Sequence, residues 1–555
     1  MTQPRPAATI TPRAGLSNRT GSPQRPRLLS GERASRQSQV FGYGILLPAW
    51  GAAMGWAFMP GTNYALARTR GGAYFEAPES IPSRSAFPRL TWVDMALVAL
   101  FMVGMYTNFT VQVSAKVPFP SAPAGVAGLI LLWRRRDQIT PHALACLIGV
   151  LALYLASIFC APNPNLLQRR TTGLIQLTYS LIIGYALFLT VTRTNRRQFA
   201  GLFLSFALVI LAGCLLEAYA GLRPVSDAVR NVLYSQGVYE NDLRDTLLYG
   251  RARPKFFASE PASVTFCYTL FTFLWMVVSP WRFKLVAYVG LVGLGLFAMP
   301  GPTLLLMLLL VLPYMLFLAS RRQGRLDVGR FLLVACLAAF SVCALGVLAE
   351  TAFPVRFEQA MSGNDPSFFY RVRGPAIAGV DVMKRHPFAG AGLSGEFFIE
   401  AEVTNAYMRS SGYSGGWASV SSATELVVNY FWLHWIYFGV VWGVVLVVAV
   451  TVWLRVLGVP SPAFCWMVWA ILGQASGAYV GPTCWAVLFL AGAAAVLHQR
   501  PDAAADTRPI DPSKVVPLSD QLHARHRLRQ WRRMTAITQQ GPGRGGAASS
   551  RLPGN

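Results

Sequence analysis

The apolar residues of this 555-residue chain fall in repeated blocks about 20 residues long. A helix of that length crosses the roughly 30 Å hydrocarbon core of a bilayer. A backbone in lipid must satisfy its own hydrogen bonds, and these blocks are longer than barrel strands, so they are predicted to be helices. The blocks lie at about 91–112, 119–133, 141–160, 171–192, 199–221, 263–281, 285–299, 302–320, 331–350, 424–452, 461–477 and 481–497. The sequence therefore predicts an all-α, polytopic membrane protein with about twelve transmembrane helices.

The charge content and the short motifs narrow the function classes. Only 13% of the residues are charged, whereas a soluble domain carries about 25%. The chain contains no HExxH, GxxxxGK[ST] or GxGxxG string, which disfavours metalloproteases, ATP-driven pumps and dinucleotide-binding enzymes. The eight cysteines lie in or beside apolar blocks without a CxxC pair, so neither a disulfide framework nor a zinc site is expected. We expect no metal, no cofactor and no nucleic-acid partner.

The net charge of +25 is interpreted as a topology signal. With twelve spans, all the basic loop clusters fall on the same side as both basic tails, and the positive-inside rule makes that side the cytoplasm. Residues 1–40 and 498–555 are predicted to be disordered cytoplasmic tails, and 41–90 an interfacial or re-entrant segment with a linker. The bundle then covers 91–497. Two long polar segments, 222–262 and 351–423, are predicted on the outer side, where long connections are usually functional.

The first outer segment carries three cations in five positions, followed by an acid directly before a span. The cations are Arg251, Arg253 and Lys255, and the acid is Glu260. Arginine presents a planar fork of donors that matches phosphate oxygens. The cluster is therefore predicted to hold a lipid diphosphate, and the alternative is contact with anionic headgroups or a role in topology alone.

The second outer segment predicts a helix from Ser367 to His386, ended by Pro387 and by glycines at 390 and 392. Ser367 and Arg371 share one face of this helix, whereas Arg373 points elsewhere. Arg371 is the favoured ligand-binding residue, although an amphipathic helix lying on the bilayer would show the same pattern.

Several residues of this segment are candidates for proton transfer. His386 has a suitable ordinary pKa, although a histidine at a helix end often serves only as a cap. Glu396, Glu400 and Glu402 form an acidic cluster that could supply a general base or simply a solvated face. Glu425 and Asn429 lie one turn apart at the start of the next span, where polar groups tend to mark a site.

The order of these motifs resembles that of the O-antigen polymerase/ligase superfamily, which includes exopolysaccharide repeat-unit polymerases. The resemblance covers roughly residues 90–497. It rests on Arg-x-Arg and Glu-Pro before a span, Ser-x-x-x-Arg in a later outer loop, His-Pro-Phe-x-Gly-x-Gly, and an Asn at the next helix. The motifs concerned are Arg251, Arg253, Glu260-Pro261, Ser367, Arg371, 386–392 and Asn429.

The resemblance implies a GT-C-like, metal-independent glycosyltransferase of the bacterial inner membrane. Its donor and acceptor would be undecaprenyl-diphosphate-linked oligosaccharides at the periplasmic face, with a chain-length regulator and other assembly proteins as possible partners. By position, Arg251 or Arg253 and Arg371 would bind the diphosphate. In ligases of this superfamily a His-Asn pair precedes the late span, whereas this chain has Val428-Asn429. That difference favours a polymerase over a ligase and leaves His386, Glu402 and Glu425 as candidates for the base.

A secondary transporter or flippase of a lipid-linked substrate is the alternative from another class. Such proteins usually carry ionisable residues near the bilayer midplane and two related halves. In this chain His434 is the one clearly internal titratable side chain of the apolar blocks, and no half-to-half repeat is apparent. The polymerase is therefore the preferred hypothesis.

Overall fold

A computed structural model describes residues 90–319, 368–410 and 423–500, with gaps at 115–116, 235–238 and 240–241, together with scattered residues between 321 and 358. Within these ranges the architecture is all-α. The helices are α1 (Trp92–Thr107), α2 (Ala122–Arg134), α3 (Pro141–Cys160), α4 (Leu167–Thr192), α5 (Arg196–Tyr219), α6 (Arg223–Leu233), α7 (Asp242–Tyr249), α8 (Pro261–Val278), α9 (Lys284–Ala298), α10 (Leu305–Tyr314), α11 (Gly374–Arg385), α12 (Glu400–Met408), α13 (Ala423–Leu426), α14 (Tyr430–Val456), α15 (Pro462–Gly473) and α16 (Pro482–His498).

Short elements complete the described chain. Turns of 3-10 helix occupy Arg136–Gln138, Pro164–Leu166, Pro302–Leu304 and Glu396–Ile399, and π-helical turns occupy Met315–Ala319 and Phe369–Arg373. Strand β1 (Val111–Ser114) pairs antiparallel with β2 (Val117–Phe119), and β3 (Arg321–Arg322) with β4 (Arg325–Leu326). The predicted tails and interfacial segment, as well as the span predicted at 331–350, lie almost entirely outside the described residues.

Five helices are long and apolar enough to cross a membrane. They are α3, α4 with the 3-10 turn before it, α5, α8 and α14. Six shorter apolar helices, of 10–17 residues, accompany them: α1, α2, α9, α10 with its π-turn, α15 and α16. This composition indicates a membrane-embedded helical protein.

Helices α8 and α16 form the centre of the bundle. Nearly every residue of both helices is buried, as expected for helices that are apolar on all sides. Helix α16 packs against α4, α15 and α8, and α8 packs against α5. Small residues such as Gly184, whose added Cβ would lie 2.7 Å from the Phe489 ring, allow this close packing.

Basic side chains tie helix ends together at one end of the bundle. Arg134 and Arg135 bind Asp94 at 2.7 and 2.8 Å, which joins the end of α2 to the start of α1. Arg196 donates to the carbonyl of Val278, and Arg500 to that of Thr192. The helix ends joined here are the ones that the sequence predicts on the basic side.

Helix α14 is broken at Gly439, which adopts φ +63° and ψ −166°. The segment 387–392 lies against this break and satisfies the freed backbone groups. The amides of Ala391 and Gly392 donate to the carbonyls of Ile436 and Tyr437, and the amide of Val440 donates to Pro387, each at 2.8 Å. Irregular backbone at membrane depth is tolerated where protein covers it. The Pro-Phe-x-Gly-x-Gly sequence therefore serves as a docking segment for a broken helix.

Several predicted boundaries differ from the structure. The first span, predicted to 112, ends at Thr107, and the next residues form the β1–β2 hairpin. The span predicted from 424 is divided into α13, three residues outside any regular element, and α14. The helix predicted to end at His386 does end there, with α11 closing at Arg385.

Candidate functional site

A cavity of about 590 Å³ lies at the bundle end opposite the Asp94 ion pairs. It is lined by the end of α1, by α7, by the start of α8, by the π-turn 369–373, and by segments 426–428 and 475–478. Three charged residues line it: Arg244, Glu260 and Arg371. The volume is within the range of sites for small or extended organic ligands. The two outer segments predicted from the sequence therefore meet at one site.

A π-helical turn carries Arg371 to the cavity. Such turns insert an extra residue into a helix and occur often at functional sites. The carbonyl of Arg371 accepts a hydrogen bond from Asn429 Nδ2 at 2.8 Å. The same amide donates to Gln474 Oε1 at 2.8 Å, and Asn429 Oδ1 accepts from the amide of Trp432. Asn429, predicted to bind substrate, is thus a buried helix cap that joins the π-turn, α14 and the segment after α15.

Glu260 follows a loop that the protein holds rigidly. Arg230 is buried and donates to the carbonyls of Ala258 and Ser259 at 2.8 and 3.1 Å. The carboxylate of Glu217 accepts hydrogen bonds from the amides of Lys255 and Phe256 at 3.0 and 2.5 Å. This bonding fixes the direction in which the chain enters α8, and with it the place of Glu260 on the cavity wall.

Two phenylalanines in this loop have strained backbones, with φ +32° at Phe256 and +64° at Phe257. Non-glycine residues rarely adopt this region, and such strain concentrates at functional sites. The hydroxyl of Tyr234 donates to the carbonyl of Phe257 at 3.0 Å. Burial raises the pKa of Tyr234 to about 12, against a smaller opposing effect of Arg230, so the hydroxyl remains a donor at neutral pH. The surroundings therefore hold the strained conformation.

The cations predicted to bind diphosphate have partners inside the protein. Arg253 pairs with Asp245 at 3.0 Å, and the buried Lys255 pairs with Asp242 at 3.1 Å. Arg251 lies over the rings of Tyr219 and Phe297. None of the three cations lines the cavity. Their contacts hold α7 and the loop before α8 in place.

Helix α7 explains why Arg244 was missed in the sequence. Asp242 and Asp245 lie on the side of α7 that faces the Arg253–Lys255 segment, while Arg244 lies on another side and reaches the cavity. The sequence places Arg244 in an unremarkable acidic stretch, and the denser cluster at 251–255 drew the prediction instead. Only the helical geometry of α7 shows that Arg244 lies on a different side from Asp242 and Asp245.

The remaining predicted residues lie elsewhere or outside the described part. His386 packs against Phe398 and lies 3.6 Å from Glu402, away from the cavity-lining residues. Arg373 is exposed at the end of the π-turn. Ser367 is outside the described residues, as is the side chain of Glu425, whose backbone belongs to α13.

His434, the internal histidine, is bonded at both ring nitrogens. Its Nε2 lies 3.1 Å from the carbonyl of Gly443, so this nitrogen must carry the proton. Nδ1 then accepts from the hydroxyl of Tyr479 at 2.9 Å, and that hydroxyl accepts from Tyr154 at 2.8 Å. This arrangement bridges α14, α3 and the segment before α16, as a structural histidine does.

Within the described residues, no three His, Cys, Asp or Glu side chains converge closely enough to hold a metal ion. No protein-family model matches the chain, and no curated protein sequence is significantly similar to it. The assignment of function therefore depends on the cavity and on the contacts that build it.

Proposed function

We propose that the chain is a glycosyltransferase that polymerises undecaprenyl-diphosphate-linked oligosaccharide repeat units at the outer face of the bacterial inner membrane. The observation that carries the proposal is the cavity where Arg244, Glu260 and Arg371 meet at one end of an apolar bundle. The motif order in the sequence adds support. The lipid-linked donor and acceptor would both reach this cavity from the bilayer.

The two arginines suit a diphosphate leaving group. Negative charge develops on the diphosphate as its bond to the anomeric carbon breaks, and fixed guanidinium donors in a partly dehydrated cleft stabilise that charge. The Asn429 bond to the Arg371 carbonyl limits movement of the π-turn. Arg244 therefore replaces Arg251 and Arg253 as the proposed partner of Arg371.

Glu260 is the proposed general base. A hydroxyl of the acceptor repeat unit attacks the anomeric carbon, the bond to the diphosphate oxygen breaks, and the carboxylate takes the hydroxyl proton. Direct displacement of this kind inverts the configuration at the anomeric carbon. Glu260 lines the cavity, whereas His386 and Glu402 do not, which is why it is preferred to them.

The same geometry supports the proposed orientation. The cavity end carries the long segments predicted as periplasmic, and the opposite end carries Arg134, Arg135 and Arg196. With the twelve spans that the sequence predicts, the positive-inside rule would put the basic end and both termini in the cytoplasm.

Deleting the gene in its host and extracting lipid-linked glycans tests the proposed function. A polymerase deletion leaves single repeat units on the lipid and no polymer, which is the expected result. Full-length polymer stranded on its lipid carrier would instead identify a ligase. Unchanged glycans would overturn the enzymatic proposal and favour the transporter.

A further inference from the structure

Helix α6 has its polar and apolar faces inverted relative to a helix on the surface of a soluble protein. Its buried side carries Ser226 and Arg230. Its exposed side carries Val225, Val229 and Val232, and 86% of Val232 is accessible. A soluble protein places these faces the other way round. The exposed side of α6 is therefore an apolar face that no described residue covers.

Helix α7 repeats the pattern. Leu243 and Leu247 lie one turn apart and are 76% and 75% exposed, while Asp245 on the opposite side is buried against Arg253. Two consecutive short helices thus present apolar faces outward while Arg230 and Asp245 are buried on their inner sides. The exposed residues of α6 are apolar except for Asn231: they are Pro224, Val225, Ala228, Val229, Asn231 and Val232.

The exposed apolar surface is continuous with that of the spanning helices. Leu216 and Tyr219, in the last turn of α5, are about half exposed, and α6 begins four residues later. Phe297, at the end of α9, is also exposed and stacks on Tyr219. The guanidinium of Arg251 lies over both rings. Aromatic rings combined with a cation at helix ends are typical of the headgroup level of a bilayer.

We infer that α6 and α7 lie on the outer leaflet of the membrane, with Val225, Val229, Val232, Leu243 and Leu247 inserted among the lipids. Interfacial helices insert their apolar faces about 5–10 Å into the boundary between headgroups and acyl chains. Arg251 then lies at the headgroup level, with its aliphatic stem against Tyr219. Helix α7 separates the lipid from the cavity, because it carries Leu243 on one side and Arg244 on another.

Site-specific photo-crosslinking tests this inference in native membranes without an activity assay. The photoreactive residue p-benzoyl-phenylalanine is placed at Val232 and, in a second full-length variant, at Leu247. The lipid reference is Val209, an exposed residue in the middle of α5, and the solvent control is Lys384, exposed in the last turn of α11. Adducts are identified by mass spectrometry after irradiation.

Lipid adducts at 232 and 247 are expected within about threefold of the yield at 209, and at least about tenfold above that at 384, because the inserted face contacts acyl chains. Two positions on separate helices allow for one variant that fails to accumulate. Yields at the level of position 384 would overturn the inference. Crosslinks to a second copy of the chain in place of lipid would also overturn it, because the apolar face would then be an oligomer interface. Neither result depends on whether the chain is a polymerase.

Discussion

Single buried side chains fix the geometry of the cavity. Asn429 uses its carbonyl oxygen to cap α14 and both amide hydrogens to bind the Arg371 carbonyl and Gln474. Arg230 plays the same part for the loop before Glu260. Buried polar groups with every partner satisfied specify one arrangement of their neighbours. The charges on the cavity wall are thus positioned by residues that do not line it.

Arg371 and Arg373 form a matched pair for testing the role of charge in the cavity. They are two residues apart on the same helical turn, but Arg371 lines the cavity and Arg373 does not. Arg371→Ala is expected to reduce polymer at least about 100-fold, as loss of one donor to a developing anion does. Arg373→Ala is expected to keep polymer near the wild-type level. Polymer is extracted from deletion cells complemented with each variant and measured by gel electrophoresis. Equal effects of the two changes would argue against a role of the cavity in polymer synthesis.

The variant Asn429→Ser distinguishes the contribution of the helix cap from that of the hydrogen bonds to neighbouring segments. Serine still accepts a hydrogen bond from the Trp432 amide. Its single hydroxyl donor cannot bind both the Arg371 carbonyl and Gln474. Asn429→Ala loses the cap as well, worth about 1 kcal/mol. The serine variant is expected to melt at a higher temperature than the alanine variant but to make as little polymer.

Thermal unfolding in detergent and polymer yield measure the two effects. Asn405→Ala, at an exposed position on α12, is the control. Full activity of Asn429→Ser would show that the contact with the π-turn is not needed.

At the scale of elements, a short sequence motif and a helix break depend on each other. The amides of the 387–392 segment bond to carbonyls freed by Gly439, and the Val440 amide bonds back to Pro387. Gly390 has φ +56°, and a Cβ there would lie 2.3 Å from the carbonyl oxygen of Ile436. The glycines at 390 and 439 are therefore required by both conformation and space.

Gly390→Ala and Gly458→Ala compare the cost of backbone strain with and without steric crowding of the added Cβ. Both glycines have positive φ, but nothing lies within 4 Å of a Cβ added at Gly458. The change at 458 is expected to cost about 1–2 kcal/mol from conformation alone. The change at 390 adds overpacking, about 1–3 kcal/mol more. Melting temperatures in detergent are expected in the order wild type, Gly458→Ala, Gly390→Ala, and a reversed order of the two variants would contradict the docking role of this segment.

The sequence predicted the positions of the helices better than the breaks within them. Apolar runs located the helices because a lipid-facing helix must be long and apolar, and Pro387 correctly marked the end of α11. The break at Gly439 carries no such signal, because the freed backbone groups are satisfied by a segment about 50 residues away. In the same way, Glu260 and Arg371 were predicted as site residues from local motifs. Arg244 was not, because its place in the cavity depends on which side of α7 faces the Arg253–Lys255 segment.

At the scale of the whole molecule, the bundle has two chemically different ends. Ion pairs and arginine–carbonyl bonds close one end, and the cavity with its long segments occupies the other. The positive-inside rule predicts that the two ends face different compartments.

Cysteine labelling with a membrane-impermeant maleimide tests that orientation. Asp137→Cys lies at the basic end, where the Asp137 side chain is 90% exposed, and Arg409→Cys lies in the second outer segment after α12. In intact spheroplasts, labelling above the parent background is expected at 409, and at 137 only after permeabilisation. Equal labelling of both positions from outside would contradict the proposed topology.

Polymer synthesis on a lipid diphosphate is the activity proposed for the Arg371 cavity. The most direct test uses the purified full-length chain in vesicles, supplied with lipid-linked repeat units extracted from the deletion strain. We expect a ladder of products together with release of the lipid diphosphate. The ladder is expected to be lost in Arg371→Ala and kept in Arg373→Ala. Absence of a ladder from the wild-type chain, or an unchanged ladder from Arg371→Ala, would contradict the proposed function.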